Sequence, residues 1–325
     1  MRNQEKAHAL VSEMTLAEKA SLCSGKNFWY LKGIERLGLP EIMVTDGPHG
    51  LRKQLTAADN LGLNTSVPAV CFPTASALAC SFDRDLLFQV GSAIGEECRQ
   101  EDVAVLLGPG VNIKRSPLCG RNFEYYSEDP YLSGHLGGAF INGVQSQNVG
   151  VSLKHFAANN QEKRRMTVDA VMDERTFREI YLAGFETAIQ QSDPWTLMCS
   201  YNRLFGEYAS ENKRLLTGIL RDELGFQNLV MSDWGAVSNR VKGLAAGLDL
   251  EMPHVDEIND QHILQAVQDG RLPLDTLNLA AERVTALILR AQERQPFTYD
   301  VNAHHTLTRM ASAQSAVLLK NDLNL

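Results

Sequence analysis

Leu229-Val230-Met231-Ser232-Asp233 is a short apolar run that stops on a carboxylate. Three other stretches have the same form: Ile42-Met43-Val44-Thr45-Asp46, Val151-Ser152-Leu153-Lys154-His155 and Thr196-Leu197-Met198-Cys199-Ser200-Tyr201. Short runs rich in β-branched residues and Leu mark strands buried on both faces. Parallel strands closed into a barrel bring their C-terminal ends to one rim, where catalytic residues collect. The four runs therefore predict one pocket that receives Asp46, Lys154, His155, Tyr201 and Asp233. The set holds carboxylates, cations and a phenol but no compact metal-ligand cluster, so neither a metal nor a cofactor is called for.

Outward from these runs, strand-like and helix-like segments alternate. Strands are expected at 42–46, 68–72, 103–108, 149–155, 196–201, 229–234 and 247–252. Helical period is expected at 83–100 behind Asp83, at 173–191, at 211–224 and at 273–293, where Pro273 falls in the first turn. The βαβα order argues for a parallel sheet. Seven strands in about 250 residues favour an α/β fold of the (β/α)₈ TIM-barrel type. No Gly-rich phosphate loop follows the first strand, which weighs against a dinucleotide fold. After Arg294 the pattern changes. The expected organisation is a barrel over 1–295, a linker over 296–306, and over 307–325 a helix and the apolar Val317-Leu318-Leu319, the first element of a further domain.

The chain has 325 residues, 44% hydrophobic, with a formal charge of -8. Such a balance supports a large core and argues against a nucleic-acid surface. No run is long enough to span a membrane. The polar start Met1-Arg2-Asn3-Gln4-Glu5-Lys6 carries no signal-peptide pattern, so a cytoplasmic location is expected. The six scattered cysteines read as free thiols.

Several readings stay open on local sequence alone. Asp233 beside Trp234 suits sugar chemistry: the acid can attack an anomeric carbon while the indole packs on a pyranose face. It also suits the cap of a helix starting near Ala236. Asp46-Gly47-Pro48 is turn chemistry that is compatible with a carboxylate taking two sugar hydroxyls. Lys154 and His155 are consecutive, so in an extended strand they face opposite ways. Either the strand ends or kinks there, or one of the two is structural.

Taken together, the strings TDGPHGLR at 45–52, GPGVNIKRSPLCGRNFEYYSEDP at 108–130, KHFAANNQEKRR at 154–165, CSYNR at 199–203, SDW at 232–234 and GLDLEMP at 247–253 resemble glycoside hydrolase family 3, of the β-glucosidase type. The resemblance covers essentially the whole chain, and VLLKN at 317–321 looks like the family's entry into its second domain. It implies retaining hydrolysis of terminal β-glycosides, with Asp233 as nucleophile. Asp46, Arg52, Arg121, Lys154, His155, Arg165 and Tyr201 fall on the subsite that grips the non-reducing sugar, and Trp234 falls beside that sugar. The implied partners are a β-glycoside or oligosaccharide and a second domain, or a neighbouring subunit, that supplies the acid/base Glu. Some single-domain relatives instead use a His on a barrel loop, whose motif after Lys-His-Phe differs from Ala157-Ala158-Asn159-Asn160-Gln161. Glu124, Glu128, Glu162 and Glu207 are carboxylates open to test for that role. Two rival readings remain, a sugar-binding module without turnover and a barrel aldolase using Lys154 as a Schiff base.

Overall fold

The computed structural model describes residues 3–54 and 64–323. Its main sheet contains β1 (Tyr30–Leu31), β2 (Ile42–Asp46), β3 (Val103–Leu107) and β4 (Gly150–Phe156). A small outer sheet is built from β5 (Asp169–Ala170), β7 (Arg203–Leu204) and β8 (Glu207–Tyr208), and the main sheet continues through β6 (Thr196–Cys199) and β9 (Leu229–Ser232). The main order is β1-β2-β3-β4-β6-β9. All neighbours are parallel except β1, which runs against β2.

The hydrogen-bonded ring then returns to its start. Met231 bridges Leu250 in parallel, Glu251 bridges Ser24, and Gly25 bridges Leu31 of β1. Glu251 N donates to Cys23 O at 2.9 Å, and Gly25 N donates to Glu251 O at 2.9 Å. The expected TIM-type barrel is thus present in altered form. One strand is reversed, and segment 247–252 contributes single bridges rather than a ladder.

Segment 68–72 is not a strand. Pro68 opens it and Pro73 follows it, and proline lacks the donor a ladder needs. The amides between them are used elsewhere: Val70 N donates to the Glu97 carboxylate at 3.3 Å and Phe72 N to His49 O at 2.8 Å.

Helices cover the outside. Helix Arg84–Gln100 starts where expected, because Asp83 accepts from the amides of Asp85 and Leu86. It packs on helix Pro130–Gln145 at very short range. A Cβ on Gly91 would collide with the Phe140 carbonyl, and one on Gly143 with the Phe88 carbonyl. Segments 177–182 and 214–223 carry π-helical turns, a widening that the apolar period does not reveal. Of the expected stripe Leu274, Leu277, Ala281, Val284 and Ile288, helix Leu274–Ala291 buries the last four, whereas Leu274, its first residue, is exposed. No helix among the described residues is long and apolar enough to cross a membrane.

The segment 296–306, expected as a linker, carries the start of a helix. Asp300 caps a helix, Val301–Gln314, by accepting from Asn302 N and Ala303 N, so regular structure starts inside that segment. His304 pins this helix to the barrel. Its Nδ1 lies 2.8 Å from Glu97 Oε1 and its Nε2 lies 3.0 Å from Glu96 Oε2. Two carboxylates call for two N–H donors, hence the imidazolium. Burial works against that charge, but the two carboxylates outweigh it and hold the pKa of His304 above the ordinary value. A raised histidine pKa stabilises fully below its unfolded value, and the contribution disappears as pH rises through the folded value. Amide exchange in 301–314, corrected for intrinsic rate, is therefore expected to accelerate as the solution becomes alkaline. Equal protection at all pH values would show that His304 does not hold the helix.

Candidate active site

Asp233 follows the last residue of β9, and 7% of it is exposed. Its Oδ1 accepts from Trp234 N at 2.8 Å. Its Oδ2 is buried and has no hydrogen-bond partner. Burial pushes the carboxyl above the usual carboxylate range, although Arg121, the Trp234 amide, Lys154 and Tyr201 pull the other way. Nor is the helix-cap reading supported, because helix Arg240–Ala246 is capped by Asn239.

Lys154 and His155 both enter the site, at an irregularity in β4. The register between β4 and β6 shifts between Leu153 and Phe156. There the loop after β3 takes over: Lys154 N donates to Pro109 O at 3.0 Å, and Val111 N donates to Lys154 O at 2.9 Å. The Asn112 side chain clasps the main chain of His155, accepting from its N at 2.8 Å and donating to its O at 2.9 Å. The Lys154–His155 peptide bond is cis, and strict alternation of side chains ends there.

Lys154 is 3% exposed and donates to Asp46 Oδ1 at 2.9 Å, with Glu124 Oε2 at 3.5 Å. Asp46 sits at the mouth, with 35% of its side chain exposed. Burial raises its pKa, but Lys154 and then Arg121 outweigh that and hold the carboxyl below the usual range. The Lys154 ammonium is disfavoured by burial and rescued by Asp46 and Glu124, so its pKa lies above the ordinary lysine value. Arg52 closes the turn that presents Asp46: its N donates to Asp46 O at 3.1 Å, and its O accepts from Thr45 Oγ1 at 2.7 Å.

Arg121 Nε donates to Glu124 Oε1 at 2.5 Å, and Arg121 Nη2 lies 2.7 Å from His155 Nε2. A guanidinium only donates, so Nε2 is the acceptor and the proton of a neutral His155 sits on Nδ1. There it faces Tyr125 Oη at 3.1 Å. Burial, then Arg121, Lys154 and Arg165, keep the imidazole neutral well below its ordinary pKa. His155 Nε2 is 3.7 Å from Asp233 Oδ2.

On the other side, Tyr201 Oη donates to Trp234 O at 3.0 Å. The Arg165 guanidinium lies 4.5 Å from the centre of the Tyr201 ring, and Glu162 pairs with it at 2.9 Å. Trp234 donates its indole N–H to Phe28 O at 2.9 Å and leans on Trp29, ring centres 5.6 Å apart.

Asp46, Lys154, Arg121, His155 and Asp233 thus form one connected cluster, with Tyr201, Trp234 and Arg165 beside it. Sequence reasoning gave no role to Asn112, Tyr125 or Trp29, and weighed Glu124 only as an acid. Asn112, Tyr125 and Glu124 lie inside the string 108–130, and a polar residue next to a strand-end loop is their one local signal. Of the carboxylates open to test, Glu124 and Glu162 are ion-paired, Glu207 forms an exposed pair with Lys242, and Glu128 is exposed. Among the described residues no group of three His, Cys, Asp or Glu side chains is placed to hold a metal ion.

The family model described as the glycosyl hydrolase family 3 N terminal domain matches residues 33–287. The thermostable beta-glucosidase B of Acetivibrio thermocellus is 59% identical over 315 residues, 96% of this chain and 42% of that protein. An exo-alpha-(1->6)-L-arabinopyranosidase of Bifidobacterium breve is 50% identical over 322 residues, 98% of this chain and again 42% of that protein. This chain therefore spans less than half the length of these relatives. Among solved structures, β-glucosidase 3B of Thermotoga neapolitana in complex with α-D-glucose superposes with a TM-score of 0.92 at 39% identity, covering 98% of this chain and 48% of that one. The barrel, its order of strands and the match over 33–287 agree: the chain belongs to the glycosyl hydrolase family 3 N-terminal domain family.

Proposed function

We propose that this chain is the nucleophile-bearing, sugar-binding barrel of a retaining exo-β-glycosidase that releases terminal non-reducing β-D-glycosyl residues. The observation that carries this reading is the buried, unpartnered Oδ2 of Asp233. A carboxylate oxygen without a donor keeps its lone pairs for an anomeric carbon. In this reading Asp233 Oδ2 forms a bond to C1 as the glycosidic oxygen leaves with a proton, giving a glycosyl ester. Water then attacks C1 and releases the sugar with retained configuration. Asp46 and Lys154, with Arg121 and His155, would take the sugar hydroxyls. Arg165 and Tyr201 flank the ring, and Trp234 offers its apolar face.

The proton donor is a separate matter. A general acid must hold a proton near working pH. Asp46 is held ionised by Lys154, and Glu124 is engaged by Arg121 and Lys154, so neither is suited to the role. We assign the acid/base to a group outside this barrel, on a further domain or a neighbouring subunit. Val317, Leu318 and Leu319 are exposed, as fits the entry into such a domain. The aldolase reading loses support, because a Schiff-base lysine must be neutral and Lys154 is held charged.

Leaving-group dependence tests the assignment. Dinitrophenyl β-glucoside needs little protonation and should glycosylate Asp233, whereas cellobiose should react very slowly. Azide, which attacks without losing a proton, should accelerate turnover of the activated substrate. Efficient cellobiose hydrolysis by the purified chain would mean that an acid/base lies within residues 1–325 or arrives from a neighbouring copy of the chain, and would exclude the need for a further domain. Glucose binding without any glycosylation would identify a binding module. Aryl β-xyloside and α-L-arabinopyranoside, run alongside, report the sugar preference.

A further inference from the structure

Glu124 has no part in the chemistry above, yet it is the shared counter-ion of two site cations. It lies in the turn Asn122–Glu124 and is 5% exposed. One oxygen takes Arg121 Nε at 2.5 Å, and the other faces Lys154 Nζ at 3.5 Å. Anchoring Nε sets the plane of the guanidinium and so the direction of Nη2, which points at His155 Nε2.

We propose that Glu124 is a positioning residue: by anchoring Arg121 it holds His155 as the Nδ1–H tautomer and keeps hydrogen-bond donors away from Asp233 Oδ2. The proposal rests on Asp233 being the nucleophile. The logic is one of competition for protons and donors. While Arg121 Nη2 donates to His155 Nε2, that nitrogen carries no hydrogen and cannot donate across the 3.7 Å to Asp233 Oδ2. Without Glu124 two changes follow. Nε2 can take the proton and donate to Oδ2, and the freed guanidinium can turn towards the next buried carboxylate, Asp233 itself. Either change puts a donor on the attacking oxygen and weakens it as a nucleophile.

The groups that face this relay are few. Asp233 is faced by Arg121, Lys154, Tyr201 and His155, and His155 is faced by Arg121, Lys154, Arg165, Tyr125 and Asp233. An added donor on Asp233 stabilises its ionised form and lowers its pKa, so removing Glu124 should move the acid limb of glycosylation to lower pH. A residue that only braced the loop would change stability and substrate affinity and leave that limb in place.

The test combines imidazole ¹⁵N spectra of the ligand-free chain with the pH dependence of labelling by dinitrophenyl 2-deoxy-2-fluoro-β-glucoside. In the wild type His155 should show the Nδ1–H pattern. In Glu124→Ala it should shift to Nε2–H, labelling should slow by about tenfold or more, and the acid limb should move down. Glu124→Gln keeps an acceptor for Arg121 Nε and should retain the Nδ1–H pattern. Should the alanine variant fail to fold, Glu124→Asp keeps the buried charge but withdraws it by one methylene, and it too should release His155. A folded alanine or aspartate variant with unchanged tautomer and acid limb overturns the role of Glu124. A wild type that is never labelled, with the tautomer shift intact, instead overturns Asp233 as nucleophile and leaves the hold on His155 standing.

Discussion

Asp233→Asn is expected to keep the fold, abolish covalent labelling by a 2-deoxy-2-fluoro-β-glucoside and cut turnover of an activated aryl glucoside on the order of 10⁴–10⁶-fold, the scale on which enzymes lose rate with their nucleophile. The amide matches the carboxylate in shape, and its oxygen still accepts from Trp234 N, so the strand end keeps its geometry. What goes is the anionic Oδ2 beside His155 and Tyr201. Stability should move the opposite way. Burial raises the pKa of Asp233, so its ionisation works against folding. A raised acid pKa contributes stability below the unfolded value, and that contribution is lost as pH rises through the folded value. The asparagine variant should therefore melt no lower than the wild type at neutral pH, with any advantage shrinking in acid. Mass spectrometry of the labelled peptide and paired melting curves check both halves. A variant that still labels at the wild-type rate would remove Asp233 from the chemistry.

Asp46→Ala has the second largest expected effect, and it falls on binding and stability together. A charged acceptor contributes about 1.5–3 kcal/mol per hydrogen bond, which is roughly 10- to 150-fold in affinity for each sugar hydroxyl it holds. The substitution also leaves Lys154 buried with Glu124 alone, at 3.5 Å. Breaking a buried pair costs about 3–5 kcal/mol, and the partial exposure of Asp46 brings the expected loss down to about 1–3 kcal/mol. The sign with pH is fixed by the lowered pKa of Asp46: its contribution is present above the unfolded value and is lost as pH falls through the folded one. The gap in melting temperature between wild type and variant should thus narrow in acid. Calorimetric titration with glucose at neutral pH measures the other half. Unchanged glucose affinity would return Asp46 to the status of a turn residue.

A good part of this molecule is legible in one dimension. The apolar runs at 42–46, 103–108, 149–155, 196–201 and 229–234 announce strands because strands buried on both faces cannot carry polar residues until they end. The polar residues at their ends follow from the same constraint. Asp83 before 84–100 and the stripe along 273–293 are equally local, since caps and helical period depend on residues only a few positions apart. On those grounds alone the chain declares a barrel with carboxylates, cations and aromatics on one rim. Its six long motif strings declare the family.

What lay beyond reach depends on partners distant in sequence. Whether 68–72 joins a ladder was decided by Glu97 and His49, which take its amides, and not by its own hydrophobicity. That both Lys154 and His155 enter the site goes with the cis peptide bond between them and with the loop at 109–112, which pairs with Lys154 before β6 resumes at Phe156. The reversal of β1, the closure through Ser24 and Glu251, and the clasp of His304 on Glu96 and Glu97 are likewise contacts between segments that no local pattern connects. The charge states belong in the same class. A carboxylate reads alike in every string, and only the burial of Asp233, the ammonium beside Asp46 and the guanidinium held by Glu124 make one of them a buried acid with an unpartnered oxygen, one a fixed anion and one a counter-ion. Sequence determined which strand ends carry polar side chains; the tertiary structure decided which of them meet and how they are charged, because desolvation and Coulomb energy depend on distance in space and not along the chain.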